Sequence, residues 1–228
     1  LRDKPRAIEL QNQFVELSGL STFEELKSMS VEDLLVTQQK QMASATKAFD
    51  FYAPTAGGSS LSTDILATAA GSPIPLVVGT NRDENKLWST FDESLANADM
   101  SHWTEFTNEN FGERAQQARD AYEALRPGES HRDLMSAVST DTGFRQPAQR
   151  LCENRVDHQT PTWMYWFTWP TPAFGGAVGC CHALDIPFAF DNLHAEGVLM
   201  MTGDGSERAA IADRFASEIV AFATHGHP

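Results

Sequence analysis

Pro75-Leu76-Val77-Val78-Gly79 is the stretch on which the fold turns. It is a short, continuous apolar run bounded by proline and glycine, which predicts a strand buried on both faces of a parallel sheet. A second strand is predicted at Thr162-Trp163-Met164-Tyr165-Trp166-Phe167-Thr168-Trp169, dense in β-favouring aromatics. Between the two, residues 93–157 are polar and helix-rich, and 133–156 is the longest helical candidate. Strands separated by long helical stretches predict an α/β architecture. Two strands are too few for a complete sheet of that class, so a partial domain is expected.

Upstream of the first strand the chain reads as helices. Ala7, Ile8, Leu10, Phe14, Val15 and Leu17 recur at helical spacing and Gly19 supplies a stop. Thr22 with Glu25 forms a capping-box pattern for a short helix through Leu26, and Ser30 is placed to cap another running through Leu34, Leu35 and Met42. From Phe49 to Ser62, Pro54, Gly57-Gly58 and Ser59-Ser60 signal a loop. Downstream of the second strand, a Pro/Gly-rich loop from Pro170 to Gly179 leads into Cys180-Cys181-His182. The last helix is predicted over about 206–224, with Ile211, Phe215, Ile219 and Phe222 on its apolar face and Val220 widening it.

Composition narrows the function classes. With 17 basic and 31 acidic residues among 228, the net charge is −14. Such a field repels phosphate backbones and anionic membrane surfaces, so no nucleic-acid partner is expected. No 18-residue apolar run occurs, so no membrane span is predicted. Three cysteines do not make a disulfide scaffold, and adjacent Cys180 and Cys181 are read as small buried thiols. Leu1-Arg2-Asp3-Lys4 has neither an initiator methionine nor a signal-peptide pattern, so the chain is expected to begin mid-protein.

Chemistry is expected first at Gly79-Thr80-Asn81-Arg82-Asp83-Glu84-Asn85, because open α/β sheets place their sites at the carboxyl ends of strands. A carboxylate there can stabilise an imidazolium; alternatively, Asp83 or Glu84 caps the helix that follows. His182, at the junction of a glycine-rich loop and Ala183-Leu184-Asp185-Ile186-Pro187-Phe188, is either a proton shuttle or a hydrogen-bonded structural residue. His225-Gly226-His227 offers a metal grip or a frayed tail. Gly203-Asp204-Gly205-Ser206-Glu207 lacks the ligand pattern of a calcium loop and reads as a turn and helix cap. Trp163, Trp166 and Trp169 read as core in preference to a sugar platform.

Several of these stretches, in order, resemble the type-B carboxylesterase, or cholinesterase-like, family. Residues 73–84, Pro-Ile-Pro-Leu-Val-Val-Gly-Thr-Asn-Arg-Asp-Glu, are similar to the family's apolar strand leading into Gly-Thr-x-x-Asp-Glu-Gly. His182-Ala183-Leu184-Asp185-Ile186-Pro187-Phe188, with Phe190 and Asn192-Leu193, resembles its histidine block. Thr140-Asp141, Phe144-Arg145 and Pro147, Tyr165-Trp166-Phe167, Phe51-Tyr52-Ala53-Pro54-Thr55 and the closing Gly226-His227-Pro228 fall where the family has similar signatures. The resemblance implies the C-terminal portion of an α/β-hydrolase, an incomplete mostly parallel sheet flanked by helices, with residues 1–228 forming the C-terminal half of a single domain. It implies Glu84 as the triad acid, His182 as the general base, a small-molecule ester as substrate and no cofactor or metal. Phe174, within the loop 171–178, is expected to border the substrate. No Gly-x-Ser-x-Gly occurs, so the nucleophile and oxyanion hole are expected on a missing N-terminal half, the implied partner. Asn85 stands where the family carries glycine. Two other readings remain: a non-catalytic cholinesterase-like binding or adhesion domain, and a cysteine hydrolase acting through Cys180 or Cys181.

Overall fold

A computed structural model describes residues 2–44 and 52–228, which fall in two compact units, Leu1–Thr68 and Ala69–Pro228. Leu1, the opening residues of the predicted loop from Phe49, and Phe51 of the family-like segment lie outside the described residues. In the first unit, helix α1 (Lys4–Ser18) begins at Asp3, whose carboxylate accepts from the Arg6 N–H at 2.9 Å, and ends at Gly19 with φ 73°. Helix α2 (Val31–Ala43) begins at Ser30, whose Oγ accepts from the Asp33 N–H at 3.1 Å. Both boundaries follow the sequence signals. The Thr22–Glu25 box does not form. Only a 3₁₀ segment, Glu24–Ser28, is present, and the Glu25 carboxylate reaches back to the Ser21 N–H (2.9 Å), one residue short of the expected cap. The two helices pack through buried Leu10 and Gln41, with Gln41 Nε2 donating to the Leu10 carbonyl at 2.8 Å. Helix α3 (Ile65–Ala70) follows Asp64, whose side chain accepts from the Ala67 N–H.

The second unit is built on two parallel strands, β1 (Leu76–Asn81) and β2 (Thr162–Phe167), in register from Leu76 opposite Thr162 to Asn81 opposite Phe167. Gly79 lies opposite Tyr165, and a Cβ at Gly79 would stand 2.3 Å from that ring, so only glycine fits. A parallel pair needs a long crossover. It consists of α4 (Lys86–Ser89), α5 (Met100–Phe111), α6 (Ala115–Leu125), α7 (His131–Thr140) and α8 (Gln146–Val156). The predicted helix over 133–156 is thus α7 and α8, joined without a break by a π turn at Asp141–Arg145. After β2 come α9 (Ile186–Ala189), α10 (Val198–Thr202) and α11 (Arg208–His225).

Alternation along β2 decides what is covered. Trp163, Tyr165 and Phe167 point to one face, where Phe222 and Phe215 of α11 meet them at 5.0–5.8 Å between ring centres. The intervening Met164 and Trp166 point to the other face and are exposed. The core reading therefore fails for Trp166, which is 54% exposed and carries the Arg145 guanidinium 4.8 Å from its ring centre. The fully buried β1 is also corrected: Leu76, Val77, Val78 and Gly79 are half-buried, because among the described residues β1 pairs along only one edge. Only Thr80 and Asn81, at its carboxyl end, are buried. At 203–207, Glu207 precedes α11 without a side-chain cap, its carboxylate accepting instead from Trp169 Nε1–H at 2.8 Å.

A core of Phe167, Val178, Cys180, Cys181, Leu184, Phe188 and Ala212 lies at the carboxyl end of β2. A second, of Trp103, Leu134, Met135 and Val138, joins α5 to α7. Among the described residues no helix is long and apolar enough to cross a membrane.

Candidate active site

The turn that follows β1 and the loop 179–185 are bound to each other through their backbones. The Asp83 N–H donates to the Cys180 carbonyl (2.9 Å), and the Cys180 N–H donates to Asp83 Oδ2 (2.9 Å). The His182 N–H donates to the Glu84 carbonyl (3.2 Å), and Asn81 Nδ2 donates to the Cys181 carbonyl (2.8 Å). Gly179 is part of this seam: at φ 56° it leaves room for Asp83, whose Oδ2 would be 2.6 Å from any Cβ there. Asp83 also accepts from Arg82 Nε and Nη2, both at 2.9 Å. Its task is structural, and neither Asp83 nor Glu84 caps α4.

Glu84 turns the other way. Its Oε1 accepts from the Asn81 N–H at 2.7 Å, and its Oε2 lies 2.6 Å from His182 Nδ1. The carboxylate is nearly enclosed, its side chain 6% exposed, whereas the His182 side chain is 42% exposed. Because an ionised carboxylate only accepts, this contact places the imidazole proton on Nδ1 and leaves Nε2 as an acceptor. The rings of Trp88 and Phe144 flank the imidazole, with centres 5.0 and 5.3 Å away. The chain thus brings together two residues 98 positions apart that the sequence singled out. It adds Trp88 and Phe144, which sequence reasoning did not assign to the site, and gives Asn81, part of the expected stretch, a role there; Phe144 was quoted only as part of a family-like signature.

The other candidates separate from this pair. Phe174, half-exposed, packs edge-on against Phe91 at 5.4 Å. Asn85 adopts φ −74°, so the turn after Glu84 makes no demand for glycine. Cys180 and Cys181 are completely buried. Burial pushes their thiols up to about 12 and about 11, and Cys180 Sγ donates to the Phe167 carbonyl at 2.9 Å. A thiol held protonated in a core is not a nucleophile at neutral pH. Among the described residues no group of three or more His, Cys, Asp or Glu is arranged to hold a metal.

A parallel pair with a carboxylate at the end of one strand, and its histidine beyond the next, defines a portion of an α/β-hydrolase. The sequence profile of the carboxylesterase family matches residues 7–228, and the chain belongs to that family. It is 30% identical over 175 residues to the fumonisin B1 esterase of Sphingopyxis macrogoltabida, covering 74% of this chain and 31% of that enzyme. It is 27% identical over 236 residues to the para-nitrobenzyl esterase of Bacillus subtilis, covering 99% of this chain and 46% of that one. A crystal structure of a Geobacillus stearothermophilus carboxylesterase superposes with a TM-score of 0.81 at 25% identity, over 100% of this chain and 47% of the other. The chain therefore spans less than half the length of the relatives it matches.

Proposed function

We propose that this chain contributes the acid and the base of a serine carboxylesterase. The observation that carries the reading is the 2.6 Å contact between His182 Nδ1 and a buried Glu84 carboxylate, with the imidazole open to one side. In that arrangement Nε2 takes the proton of a serine hydroxyl as the oxygen attacks an ester carbonyl. Glu84 holds the tautomer and stabilises the imidazolium, which then returns the proton to the leaving alcohol as the acyl-enzyme forms. Water, activated by the same nitrogen, releases the acid. The serine and the oxyanion donors come from chain outside these 228 residues, since no Gly-x-Ser-x-Gly lies within them. Residues 1–228 then form the C-terminal half of one hydrolase domain, whose other half is this chain's partner. The substrate is a small-molecule carboxylic ester, as the names of the fumonisin B1 and para-nitrobenzyl esterases suggest for those relatives. Phe174 and Phe91, an exposed aromatic pair, border it.

The test is ester turnover by the full-length protein and its His182→Ala variant. Loss of turnover with an unchanged melting temperature is expected; full activity in His182→Ala would refute the reading. Residues 1–228 alone are expected to be inactive toward a p-nitrophenyl ester. Robust activity lost on His182→Ala would mean that this chain holds its own nucleophile.

A further inference from the structure

The long helix behind the acid turn is irregular only where it passes Glu84. At Asp141–Arg145 it opens into a π turn, closed by the Gln146 N–H bonding to the Asp141 carbonyl five residues back. In a regular α-helix, residues five apart lie about 140° apart around the axis. In a π turn they stack on one side. Thr140 and Arg145 are such a pair, and they grip the two ends of the same four-residue turn. Thr140 Oγ1 accepts from the Asn85 N–H at 3.0 Å, and Arg145 Nη2 donates to the Arg82 carbonyl at 2.9 Å. Glu84 sits between those two points. From the same π turn, Phe144 reaches the His182 ring.

Arg145 is itself held from two further sides. Its Nη1 lies 2.7 Å from Asp141 Oδ1, Asp141 Oδ2 accepts from the Tyr122 hydroxyl at 2.7 Å, and the guanidinium lies over Trp166. We infer that Arg145 is a positioning residue for the Glu84–His182 pair, acting through the Arg82 carbonyl. The π turn lets Thr140 and Arg145 hold the acid turn while Phe144 meets the base. The inference rests on the acid–base reading of that pair. A helix-stabilising role alone would predict that losing Arg145 lowers stability and leaves the histidine's environment untouched.

The experiment follows the His182 imidazole by NMR titration in the full-length protein, wild type against Arg145→Gln, with His182→Gln to assign the resonance. The other carboxylates near this histidine are engaged elsewhere: Asp83 with Arg82, and Asp185 with Asn81 and Tyr165. Removing the Arg145 cation can by itself only raise the midpoint, so a fall in Arg145→Gln reads a loosened Glu84 contact. Loosening that contact withdraws a stabilising anion, so the midpoint should fall in Arg145→Gln. In the same variant kcat should drop by about tenfold or more with KM within about twofold, and Arg145→Lys should restore only part, having one donor group where the fork has two. A midpoint that does not fall, together with kcat within about twofold of wild type in a folded Arg145→Gln, overturns the inference. If that variant does not fold, Thr140→Val frees the other end of the turn and is held to the same midpoint criterion. Should ester turnover survive His182→Ala, the acid–base reading falls, while the midpoint shift still decides whether Arg145 holds Glu84 in place.

Discussion

The helices of residues 4–43 and the paired loops around Glu84 and His182 are held by different kinds of bond. In α1 and α2 most bonds are local: caps at Asp3 and Ser30, a left-handed stop at Gly19, backbone turns. Around Glu84 and His182 many polar groups answer to one far away in sequence, as in Asn81 with Cys181, Asp83 with Cys180, and Asn85 with Thr140. Local bonds let a segment take its shape with little reference to the rest. Long-range bonds fix a geometry only when the whole unit is assembled, and they make single changes there costly.

The largest expected effect is at Glu84. In the full-length protein Glu84→Gln should reduce ester turnover by about 10³–10⁴-fold, since a neutral amide stabilises an imidazolium poorly. Wild-type turnover in the purified variant would assign the acid to another carboxylate.

Alkaline pH should separate the two units next. All three cysteines, Cys152, Cys180 and Cys181, lie in the unit that holds the site. Cys180 and Cys181 are raised by burial from 9.0 to about 12 and about 11. Below pH 9 both the folded and unfolded chains keep these protons, and stability is unaffected. Above it the unfolded chain releases protons that the fold retains, so stability falls until the folded thiols ionise near pH 11–12. Hydrogen exchange between pH 8 and 10 should show protection lost first around Val178–Leu184; faster loss in α1 would contradict the assignment.

Two glycines refine the comparison at smaller scale. Gly179 and Gly19 both have positive φ, but a Cβ at Gly179 meets Asp83 whereas one at Gly19 meets nothing within 4 Å. Gly179→Ala should cost about 2–3 kcal/mol, backbone strain plus displacement of Asp83, and Gly19→Ala about 1 kcal/mol. Denaturant melts of the two variants test this, and equal losses would mean that the Asp83 seam contributes little. Smallest of all, Ser30→Ala should remove a single cap at the start of α2, for about 1 kcal/mol or less. A larger loss would show that this segment, too, depends on distant partners.

The same division explains how much was legible in the sequence. Both strands, the Ser30 and Gly19 boundaries and the long helix over 133–156 announce themselves within a few residues. Glu84 and His182 were singled out because each sits in a family-like motif, although nothing between them in the chain links the two; the structure places them in contact. What escaped has no local signature. The π turn carries Thr140 and Arg145, whose partners at residues 82–85 lie some 55–63 positions earlier. Phe144 and Trp88 become neighbours of His182 only through tertiary packing. Trp166 follows the strand pattern faithfully, yet which of its faces is covered depends on where α11 lies. The Thr22–Glu25 pattern failed for the opposite reason: a local motif was present, but Glu25 found its partner one residue earlier.

The 98-residue gap between Glu84 and His182 also has a history on the ribosome. At about 5–20 residues per second, the acid turn emerges roughly 5–20 seconds before the histidine that completes it. For nearly all of that interval Asp83 and Asn81 have no Cys180 amide or Cys181 carbonyl to bind, and for most of it β1 has no β2 beside it. The helical crossover is synthesised within this window, and the bonds of Thr140 and Arg145 to residues 82–85 become available before the base does. During synthesis, therefore, the π turn is the first distant partner available to the turn that carries Glu84, before the loop of His182 has been translated.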